Sequence, residues 1–296
     1  MINDCNLITT AQDKFIKEII KMTAYSVLMS VYKNDDANHL KQAVRSMADQ
    51  TIPPEEIILV RDGEVGEQLQ CAIDEIVSSS PGMFTYIPLE KNGGLGNALK
   101  IGIEKARNEL IARMDSDDIS IIDRCEKQLL AFSEDPELDL VGGQVLEFCD
   151  EETNNIGERL VPEDDEQIKS LLQSRCPFNH PTVMYKKSSV IKAGNYEEIH
   201  FVEDYYLWCK MALRQCKFRN LKEFLVHMRV DDNTYRRRGG KKYFHSIKYL
   251  EKFKMQNGII GRARYIRNIT VRFVQCVLLP NKLRSWIYRK FLRQDK

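Results

Sequence analysis

The segment IARMDSDDIS, residues 111 to 120, sets Asp115, Asp117 and Asp118 within four positions, directly after a run that reads as a strand. Carboxylates that close repel one another at neutral pH, and a divalent cation among them removes the repulsion. Hard ions such as Mg²⁺ or Mn²⁺ choose oxygen ligands and complete their shell with water and substrate phosphates. Asp115 and Asp117 are therefore candidate metal ligands, and a diphosphate is the natural guest. The same residues also fit a solvated loop in which Asp117 or Asp118 caps the next helix. An EF-hand loop is excluded: counted from Asp115, position 5 is Ile119 and position 6 is Ser120, where the sharp turn needs glycine.

A second acidic pair, Glu203 and Asp204, opens EDYYLWCKMALR, in which Tyr206, Leu207, Lys210 and Met211 have helical spacing. Acids in a first helical turn complement the helix dipole. They also suit a second task, since an attacking hydroxyl is a poor nucleophile until a positioned base accepts its proton. Between the two acidic pairs lies His180, in NHPTVMYKKS, either a sugar contact or a buried histidine satisfied by backbone groups. Arg236, in YRRRGG, precedes a glycine pair that permits a mobile loop. It fits a charge run in solvent equally with a cation closing on a leaving diphosphate.

These residues need elements to position them. The apolar run from Tyr25 to Tyr32 predicts a buried strand, and Asp35 or Asp36 can cap a helix whose Leu40, Val44 and Met47 share a face. The cycle repeats: a strand in EEIILVRDG, a helix over 67–77, a strand in FTYIPL, a helix over 95–107 and a strand in ELIARM. Strands alternating with helices imply a mostly parallel sheet covered on both faces, with ligands bound outside the carboxyl ends of the strands. Asp62 and Asp115 fall at two such ends. The glycines of NGGLGN, Gly94 among them, are no Walker loop, because no Gly-Lys-Ser/Thr follows. They serve either a tight turn that lets the helix approach the sheet or a direct ligand contact.

A chain of 296 residues has room for one large domain or two. Its net charge of +1 is unevenly spread, since residues 252–296 hold twelve Lys or Arg against one acid, Asp295. Eight cysteines without a CxxC pair or secretory signal read as reduced thiols in a cytosolic protein. No stretch reaches the roughly 18 apolar residues of a spanning helix.

YSVLMSVYKND, EIILVRDG and NGGLGNALKIGIEKARNELIARMDSDDIS, in that order and spacing, resemble the nucleotide-binding half of family 2 glycosyltransferases, and the resemblance runs over about residues 25–235. It implies the GT-A fold, a Rossmann-like, mostly parallel mixed sheet flanked by helices. It also implies transfer of a sugar from a nucleoside diphosphate to an acceptor hydroxyl with inversion at the anomeric carbon. By the resemblance Val31 and Tyr32 pack near the base, Asp62 hydrogen-bonds it, Asp115 lies near the ribose and Asp117 binds the metal, Mn²⁺ or Mg²⁺. Asp204 takes the acceptor's proton, with Glu203 beside it or touching the acceptor. The turn after the second strand departs from the family's frequent Asp-Asp-Gly, reading Arg61-Asp62-Gly63, which bears on the role of Asp62.

The expected organisation is an N-terminal extension over 1–24, a catalytic domain over 25–240 and a basic helical tail over 241–296. Within the catalytic domain, 25–120 form the nucleotide-binding half and 121–240 the acceptor half. In RARYIRNITVRFVQCVLLP, Ile266, Ile269, Phe273 and Val277 share a helical face, while Arg264, Arg267 and Arg272 lie off it. Such an amphipathic element, continued by Trp286 and Tyr288, rests on anionic lipid; packing on the catalytic domain or in a homodimer is the other reading. Nucleic acid is not an expected partner, because no recognised module accompanies the charge. The expectation is a UDP-sugar-dependent enzyme acting on a lipid-linked glycan for surface polysaccharide, cytoplasmic and peripheral at the inner face of the membrane. The competing class is a non-catalytic nucleotide-sugar or metal-binding module of the same fold, which would have no use for a proton acceptor at Asp204. A nucleotidyltransferase is disfavoured, since SVYKNDDAN has no glycine-rich triphosphate loop.

Overall fold

The computed structural model describes residues 23–149, 152, 154–230 and 239–279. The amphipathic piece around Phe15 to Met22, Arg236, and the segment with Trp286 and Tyr288 lie outside the described residues.

The predicted cycle of strands and helices forms as β1 (Tyr25–Val31), α1 (Ala37–Ala48), β2 (Glu56–Arg61), α2 (Glu67–Ser79), β3 (Phe84–Pro88), α3 (Leu95–Lys105) and β4 (Leu110–Met114). Asp36 is the helix cap, its Oδ1 accepting the N–H of Asn38 at 2.8 Å and of His39 at 3.0 Å. The chain continues through β5 (Ile119–Ser120), α4 (Arg124–Glu134), β6 (Leu138–Phe148), β7 (Asn155–Arg159) and α5 (Asp165–Leu172). A 3-10 turn over His180–Thr182 leads to β8 (Met184–Lys186), α6 (Lys187–Lys192), α7 (Glu203–Leu213), β9 (Lys217–Arg229), α8 (Gly240–Gln256) and α9 (Arg262–Phe273).

The described strands form one mixed sheet in the order β3-β2-β1-β4-β8-β6-β9-β5, with β7 added beside β6. β1 to β4 pair in parallel, and β8 returns antiparallel between β4 and β6. Alternation along the strands explains their unbroken apolar runs. Val27, Met29, Ile57 and Leu59 enter the layer under α1, α2 and α4, while Leu28, Ile58 and Val60 enter the layer shared with α3 and α7. Gly102 of α3 permits that second contact: a Cβ there would stand 2.2 Å from Leu28 Cδ1.

The first helix of the expected tail is part of the second layer. Tyr243, Ile247 and Leu250 of α8 are buried in it. Lys254, wholly buried, pairs with Glu251 at 2.6 Å and donates to Tyr205 Oη at 3.0 Å and to the Gln173 carbonyl at 3.2 Å. Asn268 of α9 bonds Glu251 Oε2 at 2.9 Å. The face expected to be apolar on α9 is divided: Asn268 and Cys276 turn inward, while Ile266 and Phe273 stay exposed with Val271 and Leu278. Phe273 packs edge-on against Phe244 of α8, and Cys276 and Val277 pack on the second layer, so α9 is attached by a buried polar contact as well as by apolar ones.

Candidate active site

β4 is fully buried and ends at Met114, so it delivers Asp115 to the carboxyl edge of the sheet, beside the ends of β1 and β2. Two residues back, on the same side of the strand, Arg113 is 1 % exposed and forms an ion pair with the Asp115 carboxylate. The Asp115 charge and hydrogen bond keep the guanidinium protonated against its burial. Arg124 Nη2 donates to the Arg113 carbonyl at 2.7 Å and so braces the strand from α4.

The acidic turn is held from both sides. Asp35 Oδ2 accepts Ser116 Oγ–H at 2.8 Å and the Tyr32 N–H at 3.0 Å, tying the end of β1 to the turn. Asp118 is buried and takes the N–H of Arg229, from the end of β9, at 2.8 Å; Arg229 Nε donates to the Asp117 carbonyl at 3.1 Å. The alternative in which Asp117 or Asp118 caps a helix is not realised, because α4 begins only at Arg124, after Asp123. Asp117 opens to solvent. Neighbouring protein, and then the charges of Asp115 and Asp35, push its carboxyl up to about 7. Burial, then Asp117 and Asp115, push Asp118 up as well.

Crowding of that kind is relieved by a divalent cation. Among the described residues no group of three or more His, Cys, Asp or Glu side chains is arranged to hold a metal ion. Asp115 is held by Arg113, and Asp117 is the carboxylate of the turn that opens to solvent.

The glycine stretch has a different occupant from the one a phosphate loop would have. Both oxygens of Asp62 are engaged there, Oδ1 by the N–H of Gly93 at 2.7 Å and Oδ2 by that of Gly94 at 2.9 Å. Glu198, from the loop before α7, accepts the Gly96 N–H at 2.9 Å. Gly94 has φ +89°, and a Cβ on it would stand 2.2 Å from the Glu198 carboxyl carbon. The glycines thus admit two internal carboxylates at the N-terminus of α3. Asp62 is buried and turned into the loop, so in this conformation it shapes the turn and does not face a base. The amide of Gly94 is likewise taken. Val31 is buried at the end of β1, and Tyr32 is partly exposed next to it.

Glu203 and Asp204 form the first turn of α7, delivered by a loop in which Asn195 and Phe201 adopt left-handed backbone, at φ 57° and 62°. Glu203 is buried, and desolvation, then the charges of Asp204 and Glu198, push its carboxyl up to about 8. Asp204 is partly exposed, its Oδ1 accepting the Tyr205 N–H at 2.6 Å. Adjacent carboxyls in such unequal surroundings differ in proton affinity, and Glu203 is the one that keeps its proton at neutral pH. Arg113 connects the two acidic pairs, since its charge acts on Glu203 as well as on Asp115.

His180 lies under this centre, its Nε2 2.9 Å from Tyr196 Oη and its ring edge-on to Trp208. Burial and Arg113 hold it well below its ordinary pKa, so it is neutral. Its observed partner is the side-chain hydroxyl of Tyr196, not the backbone groups expected of a buried histidine. Asp115, paired with Arg113, and Asp117 and Glu203, which feel its charge, are brought together by the structure, with Asp204 next to Glu203 in the first turn of α7. Arg113, Glu198 and Arg229 were not singled out in the sequence. Arg113 had a signal, a charge in a buried strand two residues from a functional aspartate; Glu198 and Arg229 had none, because their partners are distant in sequence.

Comparison with known proteins decides the family. The model of the family described as glycosyl transferase family 2 matches residues 26–194. The chain belongs to this family. The glycosyltransferase is similar to the UDP-Gal:alpha-D-GlcNAc-diphosphoundecaprenol beta-1,3-galactosyltransferase of Escherichia coli, with 35% identity over 91% of this chain and 97% of that one. It is also similar to the amylovoran biosynthesis glycosyltransferase AmsE of Erwinia amylovora, with 35% identity over 90% and 98%. The structure of S. aureus TarS 1-349 in complex with UDP-GlcNAc superimposes with a TM-score of 0.61 at 16% identity, over 90% of this chain and 79% of that one. That likeness shows that the glycosyltransferase has the GT-A fold.

Proposed function

We propose that this glycosyltransferase moves a sugar, with inversion, from a UDP-sugar to a hydroxyl of a lipid-linked glycan, as one step in assembling a surface polysaccharide. The observation that carries the reading is the meeting of two acidic pairs around Arg113. A strand-end pair, Asp115 and Asp117, suits a diphosphate and its cation, and a helix-start pair supplies a proton acceptor. A binding module would have no use for the second pair. The UDP-sugar and the lipid-linked acceptor are supported by the name of the E. coli relative, and the polysaccharide by that of the Erwinia relative.

In this reading Asp115 and Asp117 would hold Mn²⁺ or Mg²⁺, which would supply positive charge against the diphosphate leaving group. Tyr32 and Val31 line the end of β1 where the base enters. Asp204 accepts the proton of the acceptor hydroxyl as its oxygen forms a bond to the anomeric carbon on the face opposite the breaking bond to the diphosphate. Glu203, neutral, donates a hydrogen bond into the acceptor side. The enzyme works as a cytoplasmic protein lying on the inner face of the membrane: the exposed Ile266, Val271, Phe273 and Leu278 stand beside Arg262, Arg264 and Arg267 and enter an anionic surface. No helix among the described residues is long and apolar enough to cross a membrane.

The test is transfer from a panel of UDP- and GDP-sugars to a synthetic diphospholipid-linked GlcNAc in Mn²⁺, with the anomeric configuration of the product read by NMR. The expected product forms from a UDP-sugar with inverted configuration. Transfer from GDP-sugars alone, or a retained configuration, would refute the corresponding part.

A further inference from the structure

Cys176 follows α5 and is brought against the catalytic helix α7. Its Sγ stands 3.7 Å from Asp204 Oδ2 and 3.5 Å from the Phe178 carbonyl oxygen. Asp204 Oδ1 is fixed on the other side by the Tyr205 N–H at 2.6 Å. The carboxylate thus has a backbone donor at one oxygen and a thiol at the other. We infer that Cys176 is a positioning residue for the base, its S–H orienting the Asp204 carboxylate and tuning its basicity. The inference rests on the assignment of Asp204 as the proton acceptor.

A thiol has one proton and here meets two acceptors, Asp204 and the Phe178 carbonyl, so it can serve the carboxylate in one rotamer and release it in another. It is available only as a donor, because burial and the charge of Asp204 push the Cys176 pKa well up and keep the sulfur protonated. A weak donor suits a base. A strong hydrogen bond to the carboxylate would hold down the basicity that proton transfer needs, whereas a thiol orients the oxygen with a smaller loss. Other groups facing Asp204 include Glu203, Tyr196 and Cys209; those facing Cys176 include Arg159, Tyr205 and Cys209. All of them stay in place in the substitutions below.

The experiment compares wild type, Cys176→Ala, Cys176→Ser and Asp204→Asn in the full-length enzyme, reading kcat, the donor KM and the acid limb of the kcat profile. Cys176→Ala should move the acid limb up by roughly half to one pH unit and lower kcat about three- to tenfold, with the donor KM unchanged. Cys176→Ser, which keeps a donor but a stronger one, should return the acid limb to or below the wild-type position and recover kcat in part. A purely structural role would lower the melting temperature and leave the limb in place. Wild-type profiles for Cys176→Ala beside an inactive Asp204→Asn would overturn the inference alone. A fully active Asp204→Asn would remove the base assignment, and the inference with it.

Discussion

Replacing Glu203 by Gln should stabilise the enzyme, and only at neutral to alkaline pH. In the unfolded chain this carboxyl loses its proton near 4.5, whereas in the fold burial, Asp204 and Glu198 delay the loss to about 8. Between those values the unfolded chain binds fewer protons than the folded one, so stability falls as pH rises through the interval. At 1.36 kcal/mol per pH unit the ionised side chain would cost about 5 kcal/mol above both values. Reorientation of nearby dipoles and entry of water beside the carboxylate reduce that to about 1–3 kcal/mol. Gln keeps the shape and the donor and never ionises. The difference between variant and wild type should therefore be near zero at pH 5 and reach about 1–3 kcal/mol in favour of the variant at pH 8.5. Urea unfolding of both proteins at the two pH values measures it, and subtraction cancels Asp117, Asp118 and Glu198, which are pushed up in both proteins. An equal difference at the two pH values, or a less stable variant at pH 8.5, would show that Glu203 ionises normally and that the division of roles with Asp204 is wrong.

Asp117→Asn should weaken binding of UDP in Mn²⁺ at least tenfold by calorimetry, on the order of 1.4 kcal/mol or more, and chelator should reduce the wild type to the same level. Asp204→Asn should lower kcat on the order of 10² to 10⁴-fold and leave the dissociation constant of UDP within about twofold. Lys254→Met strands Glu251 without its cation in the core and should cost about 3–5 kcal/mol in urea unfolding, with Lys254→Met/Glu251→Leu recovering much of the loss. Ile266→Ser/Val271→Ser/Leu278→Ser, all on exposed positions, should abolish sedimentation with anionic vesicles while leaving the melting temperature within about 2 °C; unchanged sedimentation would exclude this face.

The nucleotide-binding half was legible because its signals are local. An apolar run such as YSVLMSV must bury both faces, Asp36 caps the helix that follows, and a strand that ends at Met114 puts Asp115 at the sheet edge whatever lies elsewhere. The pairing of Glu203 with Asp204 at a helix start was legible for the same reason. What each carboxylate does there was not. Asp62 and Asp115 look alike in sequence, each at a strand end before a turn. One is occupied by two loop amides and the other by a buried arginine, and those partners are set by contacts with Gly93, Gly94 and Arg113 that strand-end position alone does not specify. How the tail is attached was not legible for a related reason. Part of its attachment runs through Lys254, Glu251 and Asn268, polar residues that a hydrophobic periodicity counts as outward-facing.

The occupancy of the glycine loop bears on how a diphosphate could be held. A helix N-terminus with free amides attracts anions, and NGGLGN opening α3 has that form. Here Asp62 takes the amides of Gly93 and Gly94, and Glu198 takes that of Gly96, so the positive end of the helix is already matched by two carboxylates. A donor diphosphate placed over this loop would meet negative charge, not open N–H groups. In the proposed reading its neutralisation comes from the side where Asp115 and Asp117 crowd together and a cation would relieve them. The metal proposal and the filled loop are in this sense one argument: the stronger the hold of Asp62 and Glu198 on the glycines, the more the binding of a nucleoside diphosphate should depend on Mn²⁺ or Mg²⁺. Glu198→Gln, which removes one of the two internal charges while keeping an acceptor for Gly96, should therefore raise the affinity for UDP measured in chelator and change it little in saturating Mn²⁺. An affinity in chelator that does not move would separate the loop from the diphosphate and leave the cation dependence to be explained by Asp115 and Asp117 alone.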